Sequence, residues 1–201
     1  MLFLEEFMTE ALNVVAIIVA GLMVGCELAI AAFVHPTLDK LPDDVHLPAA
    51  SALARVQGRF MPFWYILVFL LTLAEVIIQW HQSGRLPIWI ATSAVLWVLA
   101  ILYSVTALVP INDRIKSNPP LDWKTYRRRW DLLHRWRVVL LTIAFAFLIV
   151  GFVSKQSSLA SSAGATIAGD REPWQSSQAV GGGLNSRLRP LIIVRWPIPS
   201  S

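Results

Sequence analysis

Cysteine is almost missing from this 201-residue chain: Cys26 stands alone inside an apolar run, so an intrachain disulfide framework is excluded. Charge is scarce as well. Asp, Glu, Lys and Arg together make up 15% of the residues, against about 25% in an ordinary soluble domain. The first eleven residues contain no Lys or Arg but carry Glu5, Glu6 and Glu10, so a cleavable secretory leader with its basic start is not expected. No Asn-x-Ser/Thr sequon and no lipidation motif occurs. What is abundant is apolar side chain, 56% of the sequence, with a mean hydropathy of +0.58. That excess excludes disorder for most of the chain, because disorder needs low hydrophobicity and high net charge. The formal charge is +4, yet the basic residues lie between or after apolar runs, which points to lipid headgroups and not to nucleic acid. The sequence is that of an integral membrane protein.

A helix that spans the bilayer needs about 20 mostly apolar residues to cross about 30 Å of hydrocarbon. Four stretches meet this: about 11–34, 61–80, 87–109 and 124–153, the last beginning with a polar helical lead-in over 124–137. The expected fold is therefore all-α, a four-transmembrane-helix bundle over residues 1–153, since lipid offers no partner to loose backbone. Loop 1 (35–60) is expected to be long, with a short interfacial helix over 49–57; loop 2 (81–86) is a tight hairpin, and loop 3 (110–137) is strongly basic. Residues 154–201, rich in Ser, Gly and Ala with Gly181-Gly182-Gly183, are expected to form a flexible tail. Loops 1 and 3 hold eleven of the seventeen Lys and Arg residues. The positive-inside rule then puts those loops in the cytoplasm and both termini outside, in a multi-pass arrangement.

Ionisable residues inside membrane segments are functional-site candidates, because leaving them in lipid is costly. The helix ends adjoining loops 1 and 3 carry His35, Arg59, Asn112 and the group Trp130, His134, Arg137. The spacing Trp-x-x-x-His-x-x-Arg puts the last three on one helical stripe, and Arg127, seven before His134, falls on it too. A polar pocket at one mouth of the bundle follows. Glu27 lies eight residues before His35, about 12 Å deeper by helical rise and on roughly the same face, so it points away from lipid. Glu75, about 21 Å along its helix from Met61, belongs to a layer near the other membrane face. Each residue also has a plainer reading. The arginines can serve as stop-transfer charges that snorkel to phosphates, Trp130 as an interfacial belt residue, and His35-Pro36 as a helix end.

Two motifs add to this. Val109-Pro110-Ile111-Asn112-Asp113 and Trp130-Asp131-Leu132-Leu133-His134-Arg135-Trp136-Arg137 resemble the signature of the anthrone oxygenase-like family of small four-helix membrane proteins, roughly Val-Pro-x-Asn followed by Trp-Asn-x-Leu-His-x-x-Arg. The stretches 25–36 (GCELAIAAFVHP) and 58–62 (GRFMP) look more like the bacterial branch of that family than its fungal polyketide enzymes. The resemblance covers about residues 12–152. Asp131 and Asp113 stand where the fungal enzymes favour Asn, from which a different substrate is expected.

The resemblance implies oxygenation of a phenolic polycycle, anthrone to anthraquinone, without a cofactor and with O₂ and a hydrophobic aromatic molecule as reactants. In that reading His134 is the base, while Arg137 and Asn112 stabilise the oxyanion. Trp130 stacks on the aromatic ligand, and His35, Arg59 and Glu27 complete the binding site. The alternative class is a non-catalytic membrane scaffold or small-molecule binding or transport module. A metal or haem between His35 and His134 is a weak third, since two histidines without further ligands at spacing make a poor metal signature.

Overall fold

The computed structural model describes residues 2–117 and 122–169 of the chain. In chain order the elements are α1 (Leu2–Ala29), a π-helical turn (Ile30–Val34), α2 (His35–Leu38), α3 (Asp43–Ser83), α4 (Ile88–Tyr103), a second π-helical turn (Ser104–Leu108), α5 (Val109–Ser117) and α6 (Trp123–Gly169). Four candidate spans result: Phe7–Leu38, Asp43–Ser83, Ile88–Arg114 and Trp123–Ser157. The protein is thus an all-helical, four-span bundle, as its hydropathy requires.

The helices outrun the apolar runs that announce them. Loop 1 is not a long connection with a separate interfacial helix over 49–57. α2 ends at Leu38, and α3 begins at Asp43 and runs unbroken to Ser83, through Pro48 and Pro62. Asp43 and Asp44 sit in its first turn, where carboxylates complement the helix dipole. His46, Ala50 and Ala54 then continue, at four-residue steps, the buried stripe that later carries Tyr65, Val68, Thr72, Glu75 and Gln79. A hydropathy window stops where charge begins; hydrogen bonding does not. The fourth span differs at its other end. The tail expected from residue 154 is helical as far as Gly169, its Ser- and Ala-rich sequence containing no proline to break it. The rest of that tail, 170–201, lies outside the described residues. Contacts divide the chain into one compact unit ending at Gln156 and a second beginning at Ser157.

Both π-helical turns stand at the same offset from a proline. Ile30–Val34 ends two residues before Pro36, and Ser104–Leu108 ends two residues before Pro110. A proline ring lacks a donor and collides with the carbonyl four residues back. Widening the preceding turn to i→i+5 bonds (His35 N–H to Ile30 O, Val109 N–H to Ser104 O) lets the helix continue. One extra residue in the turn also changes phase. Glu27 and His35, about 80° apart on a regular helix, come close to a common face.

The core is a single layer between the four spans, centred on Met23, Tyr65, Val68, Ile90, Trp97, Leu141 and Leu148. Small residues let α4 and α6 approach closely: Ser93 Oγ donates to the Ala144 carbonyl at 2.8 Å, and Gly151 lies directly against Ile90. Nearer the loop 1 and loop 3 end, Leu108, Ile111 and Trp130 form a second small cluster. The candidate site lies beside it.

Candidate functional site

A charged centre is assembled from three spans. Glu27 of α1 is fully buried and receives Arg137 Nη2 of α6 at 2.7 Å and the Tyr65 hydroxyl of α3 at 2.9 Å. The same Arg137 Nη2 lies 2.9 Å from His134 Nδ1, and Nη1 reaches Ser104 Oγ at 3.4 Å. A guanidinium only donates, so His134 Nδ1 accepts, and the imidazole is neutral with its proton on Nε2. His134 Nδ1 is also 3.6 Å from Glu27 Oε2. Both hydrogens of one guanidinium nitrogen are therefore directed, one to a carboxylate and one to an imidazole. A charge this deep is tolerated because it is paired and hydrogen-bonded.

Along α6 the predicted stripe is real and takes the form of a stack. The Arg127 guanidinium lies 4.9 Å over the Trp130 ring, and the Trp130 ring lies parallel to His134 at 4.9 Å and 13°. The steps of three and four residues supply this geometry directly. His35 of α2 tilts against both rings, 4.9 Å from Trp130 and 5.0 Å from His134. Its Nδ1 is 3.0 Å from Asp131 Oδ1, which also lies 3.4 Å from Arg127 Nε. Asp131, where the family signature favours Asn, is thus the carboxylate that anchors His35 and Arg127.

Next to this centre is a cavity of about 280 Å³. Its walls come from α3 (Gly58, Met61, Pro62, Tyr65), α4 and the second π-helical turn (Ile101, Ser104, Leu108), α5 (Asn112) and α6 (Trp130, Arg137). Most of the lining is apolar, and the wall residues Pro62, Ile66, Val105 and Val109 are themselves exposed on the bundle surface, so the opening faces the lipid side. A mostly apolar pocket with a few convergent polar groups is the usual form of a small-molecule site.

The residues singled out in the sequence divide into three groups. Asn112, Trp130 and Arg137 line the cavity. His134, His35 and Glu27 stand behind that wall, buried and in contact with its members. Arg59 does not join them: it is exposed and outside the lining, because one helical step of about 100° beyond Gly58 turns it away from the wall. The seven residues expected to form the site are thus a wall, a backing layer and one outlier. Sequence reasoning missed Tyr65, whose hydroxyl joins the cavity to Glu27, and Ser104. The available signal was the stripe of polar residues Tyr65, Thr72, Glu75 and Gln79 at helical spacing in a greasy run. Glu75 forms a separate buried layer. The Asn13 amide nitrogen, oriented toward it, donates at 2.7–2.8 Å, and Gln79 Nε2 approaches at 3.4 Å. Among the described residues, no three of His, Cys, Asp and Glu are grouped to hold a metal ion.

Fold and site together define a class: a four-span helical membrane protein with a buried charged centre behind an apolar, lipid-side cavity. Residues 50–147 match the family model described as anthrone oxygenase. The match supports an anthrone oxygenase-like family assignment, over a stretch narrower than the 12–152 suggested by the motifs. It includes Tyr65, Asn112, Trp130, His134 and Arg137 and leaves out Glu27 and His35. No curated protein and no solved structure matches the chain.

Proposed function

We propose that this protein oxygenates a hydrophobic phenolic polycycle of the anthrone type with O₂ and without a cofactor. The observation that carries the reading is Arg137 at the wall of an apolar cavity, its Nη2 hydrogens directed by Glu27 and His134. In the proposed reaction the methylene of the substrate becomes a carbonyl. One oxygen of O₂ stays in the new carbonyl, and the other leaves with the two methylene hydrogens as water. The substrate first loses a proton to give an enolate, which is electron-rich enough to meet O₂ directly. Arg137 and Asn112 stabilise the developing oxyanion, in a site where such donors are strong because water is scarce. Trp130 presents an aromatic surface to the ring system. Tyr65 lines the cavity and donates to Glu27, so the proton is proposed to leave through its hydroxyl to that carboxylate. His134, the base suggested by the motif, has its Nδ1 engaged by Arg137 and no place in the cavity lining. Its proposed part is therefore to hold Arg137.

The test is turnover by the purified full-length chain in detergent, with an anthrone under ¹⁸O₂. One labelled oxygen should enter the product quinone at a rate well above air oxidation, and Tyr65→Phe should remove most of that excess. Saturable binding of the anthrone without any excess rate would instead support the non-catalytic binding or transport reading.

A further inference from the structure

A second cavity, of about 200 Å³, sits where the start of α6 meets the turn between α2 and α3. It plays no part in the proposed oxygenation. Its lining is polar and carries both signs of charge: Arg127 and Arg128, Asp39 and the Asp43–Lys124 pair, with His46 and Trp123. Lys124 and Asp43 satisfy each other at 2.7 Å. Other groups are left over. Arg127 is 6% exposed and its Nη2 has no hydrogen-bond partner. His46, also 6% exposed, has an unbonded Nε2 that comes no nearer than 3.9 Å to Asp39 Oδ1. Buried donors and acceptors without partners are rare in folded proteins and call for a ligand or water. A guanidinium with a free edge asks for a phosphate or carboxylate oxygen. Asp39, half exposed, is open to a cation, whereas the Trp123 face already carries Lys124 Nζ at 6.0 Å.

Depth then narrows the choice. His35 marks the end of the apolar part of the first span, and Asp39 lies one turn beyond it, about 6 Å along the axis. That is the level of a headgroup layer, which adds about 5–7 Å on each side of the hydrocarbon. We propose that this cavity binds the zwitterionic headgroup of a phospholipid, with the phosphate on Arg127 and a primary ammonium on Asp39. The lining holds both a positive and a negative group, which matches phosphoethanolamine better than a purely anionic headgroup. The acyl chains would then run down the outside of the bundle.

Native mass spectrometry of the full chain in detergent tests this, by titration with phosphatidylethanolamine, phosphatidylglycerol and phosphatidylcholine of matched acyl chains, and with inorganic phosphate. Phosphatidylethanolamine should bind about tenfold or more tightly than phosphatidylglycerol, one charge-assisted hydrogen bond being enough for that factor. Phosphatidylcholine, whose ammonium cannot donate to Asp39, should be weaker too, and inorganic phosphate should not compete at equal concentration. Arg127→Gln should weaken phosphatidylethanolamine at least tenfold. Because Arg127 also stacks on Trp130, Asp39→Asn is the second variant; its exposed side chain can change without disturbing the stack. It should abolish the preference for phosphatidylethanolamine over phosphatidylglycerol. Equal or tighter binding of phosphatidylglycerol or of inorganic phosphate by the unaltered chain would overturn the proposal. So would an unchanged preference in Asp39→Asn.

Discussion

A guanidinium buried inside a membrane bundle is expensive unless its donors are matched, and Arg137 directs them to Glu27, His134 and Ser104. That dependence makes the residue testable in two independent ways. Arg137→Lys keeps the charge but loses the planar fork that serves two partners from one nitrogen. Turnover of an anthrone should fall by about 10²–10³, the usual effect of removing an oxyanion donor, with the helical circular dichroism unchanged. Glu27→Gln leaves the Arg137 charge buried without its counter-ion, which should cost about 3–5 kcal/mol of stability in detergent denaturation. Replacing both members, Glu27→Leu with Arg137→Leu, should recover most of that stability and none of the activity, because a pair removed together leaves no orphaned charge. Recovery of activity in the double variant would mean that the pair is purely structural.

Between residue and bundle stand the interrupted helices. The two π-helical turns hold Glu27 and His35 on one side and Ser104 and Asn112 on the other in their present phase. Pro110→Ala restores a donor to the backbone and removes the steric reason for the wide turn. If the turn relaxes to a regular helix, Asn112 rotates by about 100° relative to Ser104, which would take it out of the cavity wall. The expected outcome is a folded protein with weakened anthrone binding, read by titrating the fluorescence of Trp130 and its neighbours. Gly151 tests another element contact. A methyl group there meets the Ile90 side chain and lies close to its backbone. Gly151→Ala should destabilise the α4–α6 interface by about 1–3 kcal/mol, measured by thermal unfolding in detergent.

For the whole molecule, an even number of spans is proposed to put the start of the first span and the end of the fourth on the same side of the membrane. The Lys and Arg excess in loops 1 and 3 makes that side the non-cytoplasmic one in our proposal. Reporters fused before Met1 and after Gly169 should both be silent if they fold only in the cytoplasm, and a reporter placed between Ser117 and Asp122 should be active. Among the described residues, the core side chains belong to the unit that ends at Gln156. A chain cut after that residue should therefore insert and melt like the full one, within about 2–4 °C for a change of at most 1 kcal/mol.

Much of this architecture was legible along the chain. Hydropathy adds up residue by residue, so runs such as 61–80 and 87–109 announce spans without any knowledge of their neighbours. The α6 stripe was equally local: Trp130, His134 and Arg137 share a face because helical geometry makes them do so. Chain-local signals failed where hydrogen bonding continues past the hydropathy, as in residues 43–60, and where one helical step decides a wall, as for Arg59. They also failed for contacts between helices. That Arg137 meets Glu27, 110 residues earlier, depends on the rotation of α1 and α6 about their axes. So does the place of Tyr65 between the cavity and that pair. The number of spans, the loops in which basic charge collects and the faces that are polar all follow from additive properties of neighbouring residues, and so could be read along the chain. Which polar faces meet, and around what cavity, was decided only by the packing of four helices, where small residues such as Gly151 and Ser93 set how closely and at what rotation they come together.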